Sequence, residues 1–153
     1  EKKIENVQYI SLNILDNQEL IDFVKMKDTN YRKIDKLICE HVTVLFNKDN
    51  NINIDLLPEG IYCNIELKDL IIHKKNGAAA FSIDANITTL DGKVVEISSG
   101  VPHVTATLSK GSSAAGSIYF VQKKDEKEVY IYPFNKTVSA VCRWNLKPQS
   151  RRK

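Results

Sequence analysis

A chain of 153 residues with 22 Lys and Arg against 19 Asp and Glu carries a formal charge of +3. It is one domain's worth, long enough to bury its own core, and its mild basicity permits a nucleic-acid partner without demanding one. Cys39, Cys63 and Cys142 are an odd number without a Cys-x-x-Cys pair, which argues against a disulfide framework or structural zinc and for a reducing, intracellular setting such as cytoplasm or nucleus.

No apolar run approaches the roughly 18 residues a bilayer crossing needs, so no membrane association is expected. The opening EKKIENVQYI has neither signal-peptide nor initiator character, and a piece excised from a longer protein is the expectation.

Along the chain, VQYISLNIL (7–15) alternates as a strand does. Asp16 or Asn17 can then cap a short helix running through Lys27, with Leu20, Ile21 and Val24 at helical spacing. A polar segment (28–33) precedes HVTVLFN, a β-branched and apolar run that reads as a strand. The stretch 61–73 is strand-like and ends at KKNG, whose Asn76-Gly77 suits a two-residue hairpin because both central positions need positive φ.

The return arm AAAFSIDANITT meets a second tight turn at Asp91-Gly92, followed by Val94 to Ile97 and then by HVTATLS. SIYFVQ and VYIYPF flank the solvated turn KKDEKE, and a last strand is expected over 138–144. Neighbours joined by tight turns favour antiparallel pairing, hence an α+β domain over 1–146 with few helices and a disordered basic tail over 147–153.

Two of the three histidines open the same tripeptide: His41-Val42-Thr43 and His103-Val104-Thr105. At ordinary residue usage about 0.5% of histidines are followed by Val-Thr, so the repetition calls for a shared purpose. On a strand, His41 and Thr43 share one face while Val42 points to the other, and the same holds for His103, Thr105 and Thr107. If the two strands meet, two imidazoles and two or three hydroxyls line one surface.

That set suits displacement at phosphorus without a metal. A base must take a proton from the attacking oxygen while an acid protonates the leaving oxygen, and two histidines titrating near neutrality can hold both states at once. Hydroxyls can donate to the non-bridging oxygens, where charge must be held still. The residues leave open which histidine is acid and which is base.

Two H-x-T motifs on separate strands resemble the defining motif of the 2H phosphoesterase superfamily. The resemblance runs over most of the chain: YISLNI, a helix, HVTVLF, a hairpin, then PHVTATL. Within the superfamily the arrangement is most similar to the cyclic phosphodiesterase module at the C-terminus of fungal-type tRNA ligases, with SKGSSAAGS as the loop after the second motif.

The resemblance implies a two-lobed α+β fold with antiparallel sheets flanking a central cleft. It implies His41 and His103 as catalytic residues, Thr43 and Thr105 as phosphate-binding residues, and no metal or other cofactor. The implied reaction opens a 2′,3′-cyclic phosphate on an RNA end, such as a tRNA exon, to a 3′-hydroxyl and 2′-phosphate in splicing or repair. Covalently linked ligase and kinase domains are implied partners.

Other readings of the same residues lead elsewhere. A 2′,5′-oligoadenylate or RNA 3′-end phosphodiesterase would use the same site on another substrate, and a non-catalytic module would only grip an RNA end. Cys39 could share a face with His41, but positions i and i+2 on a strand lie about 7 Å apart, too far for thiol activation. GSSAAGS has glycines at P-loop spacing but lacks the following Lys. Tyr9, Phe46, Tyr119 and Trp144 are aromatic residues able to stack a base or fill the core. His73, beside a Lys-rich turn and without a Thr partner, reads as a surface residue.

Overall fold

VQYISLNI forms β1 (Val7–Ile14), in which Val7 and, after a register shift between Val7 and Tyr9, Ile10 and Leu12 are buried. The structure, a computed structural model, describes residues 6–27, 36–37, 39–46, 58–74, 78–83, 87–95, 102–108 and 127–146. Helix α1 (Gln18–Lys27) follows. The Asn17 carbonyl accepts its first bond, from the Ile21 N–H at 3.0 Å. The Asp16 carboxylate accepts from the Gln18 N–H at 3.1 Å, so both expected capping residues take part.

Leu20 and Val24 are buried against the sheet, and Phe23 packs with Phe134 and Phe81 at ring-centroid distances of 4.9 and 6.5 Å. Phe81 and Phe134 themselves lie 5.1 Å apart, which makes this aromatic trio the seat of the helix.

The remaining strands are β2 (Lys36–Leu37), β3 (His41–Phe46), β4 (Tyr62–His73), β5 (Ala79–Ile83), β6 (Ile87–Thr89), β7 (Val94–Val95), β8 (His103–Leu108) and β9 (Val129–Leu146). They form a nine-stranded sheet in the order β2-β8-β5-β4-β9-β1-β3, with β6 beside β4 and β7 beside β6. Every pairing is antiparallel. The α+β class therefore holds in its broad form, an antiparallel sheet with one helix among the described residues. That helix is not long and apolar enough to cross a membrane.

β2 and β3 follow one another in the chain yet stand at opposite ends of the sheet order. The sheet accordingly curls until its ends meet, in a nearly closed, barrel-like form. Cys39 sits at the seam with a φ of 50°, a left-handed kink that ends pairing with β8 and begins pairing with β1. Its N–H donates to the Thr105 carbonyl at 3.0 Å, and its own carbonyl accepts from Asn17 Nδ2 at 3.0 Å. The Ile14 N–H donates to the Glu40 carbonyl at 2.8 Å, completing the join.

VYIYPF and the segment 138–144, expected as separate strands, are one strand of 18 residues. Asn135 absorbs a bend within it at φ 51°, a conformation Asn tolerates better than most residues. The pairing register shifts between Leu67 and Asp69, opposite Lys136 and Pro133, so the proline falls at an irregularity of the ladder. The Asp91-Gly92 turn forms as expected: Gly92 has φ +90°, and its N–H donates to the Thr89 carbonyl at 3.0 Å. The KKNG turn residues 75–77, the segments 28–33, 109–117 and 117–122, and the tail 147–153 lie outside the described residues.

Candidate active site

On β3, Val42 and Val44 are buried in the core, and strand alternation turns His41 and Thr43 to the opposite face, where both are half-buried. On β8, Val104 and Ala106 enter the same core, so half-buried His103 and Thr105 face away from it too. Thr107, next along that face, is 3% exposed and lies within the sheet wall. In the sheet order β3 is the last strand and β8 stands next to the first, β2, and the curl that brings Cys39 to Thr105 brings them together.

The imidazoles act on one another electrostatically. The pKa of His41 is lowered from its ordinary value, first by burial, while the Glu40 carboxylate pulls it up and the charge of His103 pushes it down. A proton on one ring thus opposes a proton on the other. Protonation of both rings together is thereby disfavoured.

Around His41 and Thr43 the sheet presents polar side chains in register. Asn13 lies opposite His41, Ser11 opposite Thr43, and Arg143 opposite Ser11 on the far side. Ser11, 1% exposed, accepts from Asn145 Nδ2 at 2.9 Å and donates to Asn13 Oδ1 at 2.6 Å. Asn145 Nδ2 also reaches the Tyr9 carbonyl at 3.3 Å. The Tyr9 ring stands 6.0 Å from that of His41, tilted by 35°.

Around His103, Ser82 is the cross-strand partner, and its hydroxyl accepts from the Asp69 N–H at 3.2 Å. Ser11, Asn13, Asn145 and Arg143 were not anticipated as neighbours of the motifs. The signal lay in YISLNI, where alternation puts Tyr9, Ser11 and Asn13 on one face, but pairing with β3 and β9 is needed to give that face its place.

Cys39 does not share the face of His41. The φ of 50° breaks the alternation, the side chain is 0% exposed in the core, and burial followed by the Glu40 charge pushes its thiol up to about 12. Trp144 packs against the core, and Tyr9 stands beside His41. The side chain of Phe46, all of Tyr119, and GSSAAGS lie outside the described residues. His73 is half-buried at the end of β4, where its N–H donates to the Ala78 carbonyl at 2.8 Å and closes the hairpin.

A separate shallow groove between α1 and β9 is lined by Asp16, Glu19, Asp22, Thr137 and Ser139. Its carboxylates, of which Glu19 is paired with Lys136, do not suit a phosphodiester, in contrast to the histidine face. Among the described residues no group of three or more His, Cys, Asp or Glu side chains gathers to hold a metal ion. Scans against protein-family models, curated proteins and solved structures return no match.

Proposed function

We propose that the chain is a 2H-type phosphodiesterase that acts on RNA ends without a metal, hydrolysing a 2′,3′-cyclic phosphate to a 3′-hydroxyl and a 2′-phosphate. The observation that carries this reading is the geometry: β3 and β8 lie together with Val42, Val44, Val104 and Ala106 in one core, so His41 with Thr43 and His103 with Thr105 are turned to the same outer face, where a neutral and a charged imidazole can act together. Acid/base displacement at phosphorus needs one ring of each kind.

With its pKa lowered, His41 is suited to be the neutral ring and general base, which leaves the role of general acid to His103. His41 takes a proton from water as the water oxygen bonds to phosphorus. The bond from phosphorus to O3′ breaks on the opposite side, and His103 gives its proton to O3′. Thr43 and Thr105 donate hydrogen bonds to the non-bridging oxygens, whose charge is then held by preset donors rather than by reorienting water.

In this reading the sheet divides into two lobes about the reacting phosphate, one around β1 and β3, the other around β5 and β8. What supports the division is that β3 and β8 are separated by β5, β4, β9 and β1 in the hydrogen-bonded order. Setting and partners follow from the same reading: an intracellular enzyme of RNA splicing or repair acting on tRNA exons, linked covalently to ligase and kinase domains.

The test is incubation in EDTA with a short RNA ending in a 2′,3′-cyclic phosphate, beside His41→Ala and His103→Ala. Conversion to a 2′-phosphate, lost in both variants, is the expected result. Failure on that substrate with turnover of 2′,5′-linked or 3′-end RNA would move the reading to another member of the same chemistry. Binding of RNA ends without turnover of any of them would leave a binding module.

A further inference from the structure

Thr43, Ser11 and Arg143 form a straight row across β3, β1 and β9, each directly opposite the next. Their core-facing neighbours Val42, Leu12 and Cys142 are all 0% exposed, so the row lies on the same face as the histidines. Strands are spaced about 4.8 Å apart, which puts Arg143 about 10 Å from Thr43 at the backbone. The long arginine side chain can cover much of that distance.

The middle of the row is already committed, since the buried Ser11 hydroxyl bonds Asn145 and Asn13. The outer end of the row is the exposed Arg143. The adjacent row differs: His41 is followed by Asn13 and then by Val141, with no cation.

Resting on the phosphodiesterase reading above, we infer that Arg143 is a second phosphate subsite, holding the internucleotide phosphate next to the terminal nucleotide while Thr43 holds the terminal one. The favoured substrate is then an oligoribonucleotide end, and a 2′,3′-cyclic mononucleotide is a poor one because it has no second phosphate. Arg143 is here a specificity residue that touches substrate away from the reacting bond. A guanidinium can donate two parallel bonds to one phosphate, which a lysine cannot.

The experiment compares kcat/KM on a cyclic mononucleotide and on a trinucleotide ending in the cyclic phosphate, for wild type, Arg143→Ala, Arg143→Lys and Arg143→Glu. Arg143 is exposed, so these variants leave the core intact. Wild type should favour the trinucleotide about tenfold or more, as expected for one charge-assisted phosphate contact. Arg143→Ala should lose that preference, change the mononucleotide rate less than about twofold, and reduce the slope of log affinity against log salt by about one. Arg143→Lys should retain part of the preference, and Arg143→Glu should reverse it. Equal loss on both substrates, or no loss on either, overturns the subsite.

Binding of the 2′-phosphate products, mononucleotide against trinucleotide, gives the same comparison without turnover. Absent turnover with Arg143-dependent trinucleotide binding would remove the phosphodiesterase reading and keep the subsite as one for RNA ends. Binding indifferent to Arg143 would remove the subsite whatever the rates.

Discussion

The backbone N–H of Cys39 donates to the carbonyl of Thr105 at 3.0 Å, a single hydrogen bond that joins the approach to the first HVT strand to the middle of the second. Because Cys39 then turns through a φ of 50° into β3, the bond and the kink together decide whether His41 and His103 meet.

Replacing Cys39 with valine should therefore damage more than packing. A β-branched residue is strained at positive φ, at a cost of about 1–3 kcal/mol, whereas Cys39→Ala should cost about 1 kcal/mol for the lost sulfur contacts. Urea unfolding measures both. Cys39→Ala should keep its phosphodiesterase rate, and the thiol, buried and held up to about 12, should resist iodoacetamide until the protein unfolds.

Loss of either histidine should remove the chemistry while sparing the fold. His41→Ala and His103→Ala are each expected to reduce kcat by about 10²–10⁴-fold, and the double variant little further, since acid and base act as a unit. Thr43→Val and Thr105→Val should each cost up to about 10²-fold through loss of a preset donor. Single-turnover assays with circular dichroism of each variant separate these effects from misfolding.

The pH dependence of kcat/KM should be bell-shaped, with apparent pKa values that belong to the pair. Because burial and His103 lower the pKa of His41, the acid limb should fall below its ordinary 6.5. Glu40 pulls that pKa up, so Glu40→Gln should move the acid limb lower still. An acid limb above 6.5 would contradict His41 as the base.

The same shift has a sign for stability. With its folded-state pKa depressed, His41 is protonated more readily in the unfolded chain. Its contribution is complete above about 6.5, declines as pH falls through that value, and levels off below the folded-state pKa. Denaturant titrations of wild type and His41→Gln between pH 5 and 8 should show a smaller loss towards acid in the variant.

The aromatic trio that seats α1 should be costly to open. Phe81 is fully buried and lies 5.1 Å from Phe134, so Phe81→Ala should destabilise by about 3–5 kcal/mol in thermal or urea unfolding. Asn135→Gly, at the exposed bend of β9, should be nearly neutral, while Asn135→Val should cost about 1–3 kcal/mol.

Local structure at both motifs follows from a few neighbouring residues. Alternation of Val42 and Val44 against His41 and Thr43, and of Val104 and Ala106 against His103 and Thr105, is a property of any half-buried strand, and both strands form as it requires. Capping by Asp16 and Asn17 and the Asp91-Gly92 turn are equally local.

Which of these faces meet depends on long-range strand pairing. The exit of Cys39 from the alternation depends on a left-handed φ that nothing in CEHVT signals, and the union of VYIYPF with 138–144 depends on Asn135 and on β4 as a common partner. The place of Ser11, Asn145 and Arg143 beside Thr43 depends on pairing between strands more than a hundred residues apart in sequence. Side-chain alternation is dictated within a few residues of backbone, but register and closure are set by which distant strand buries the same apolar face.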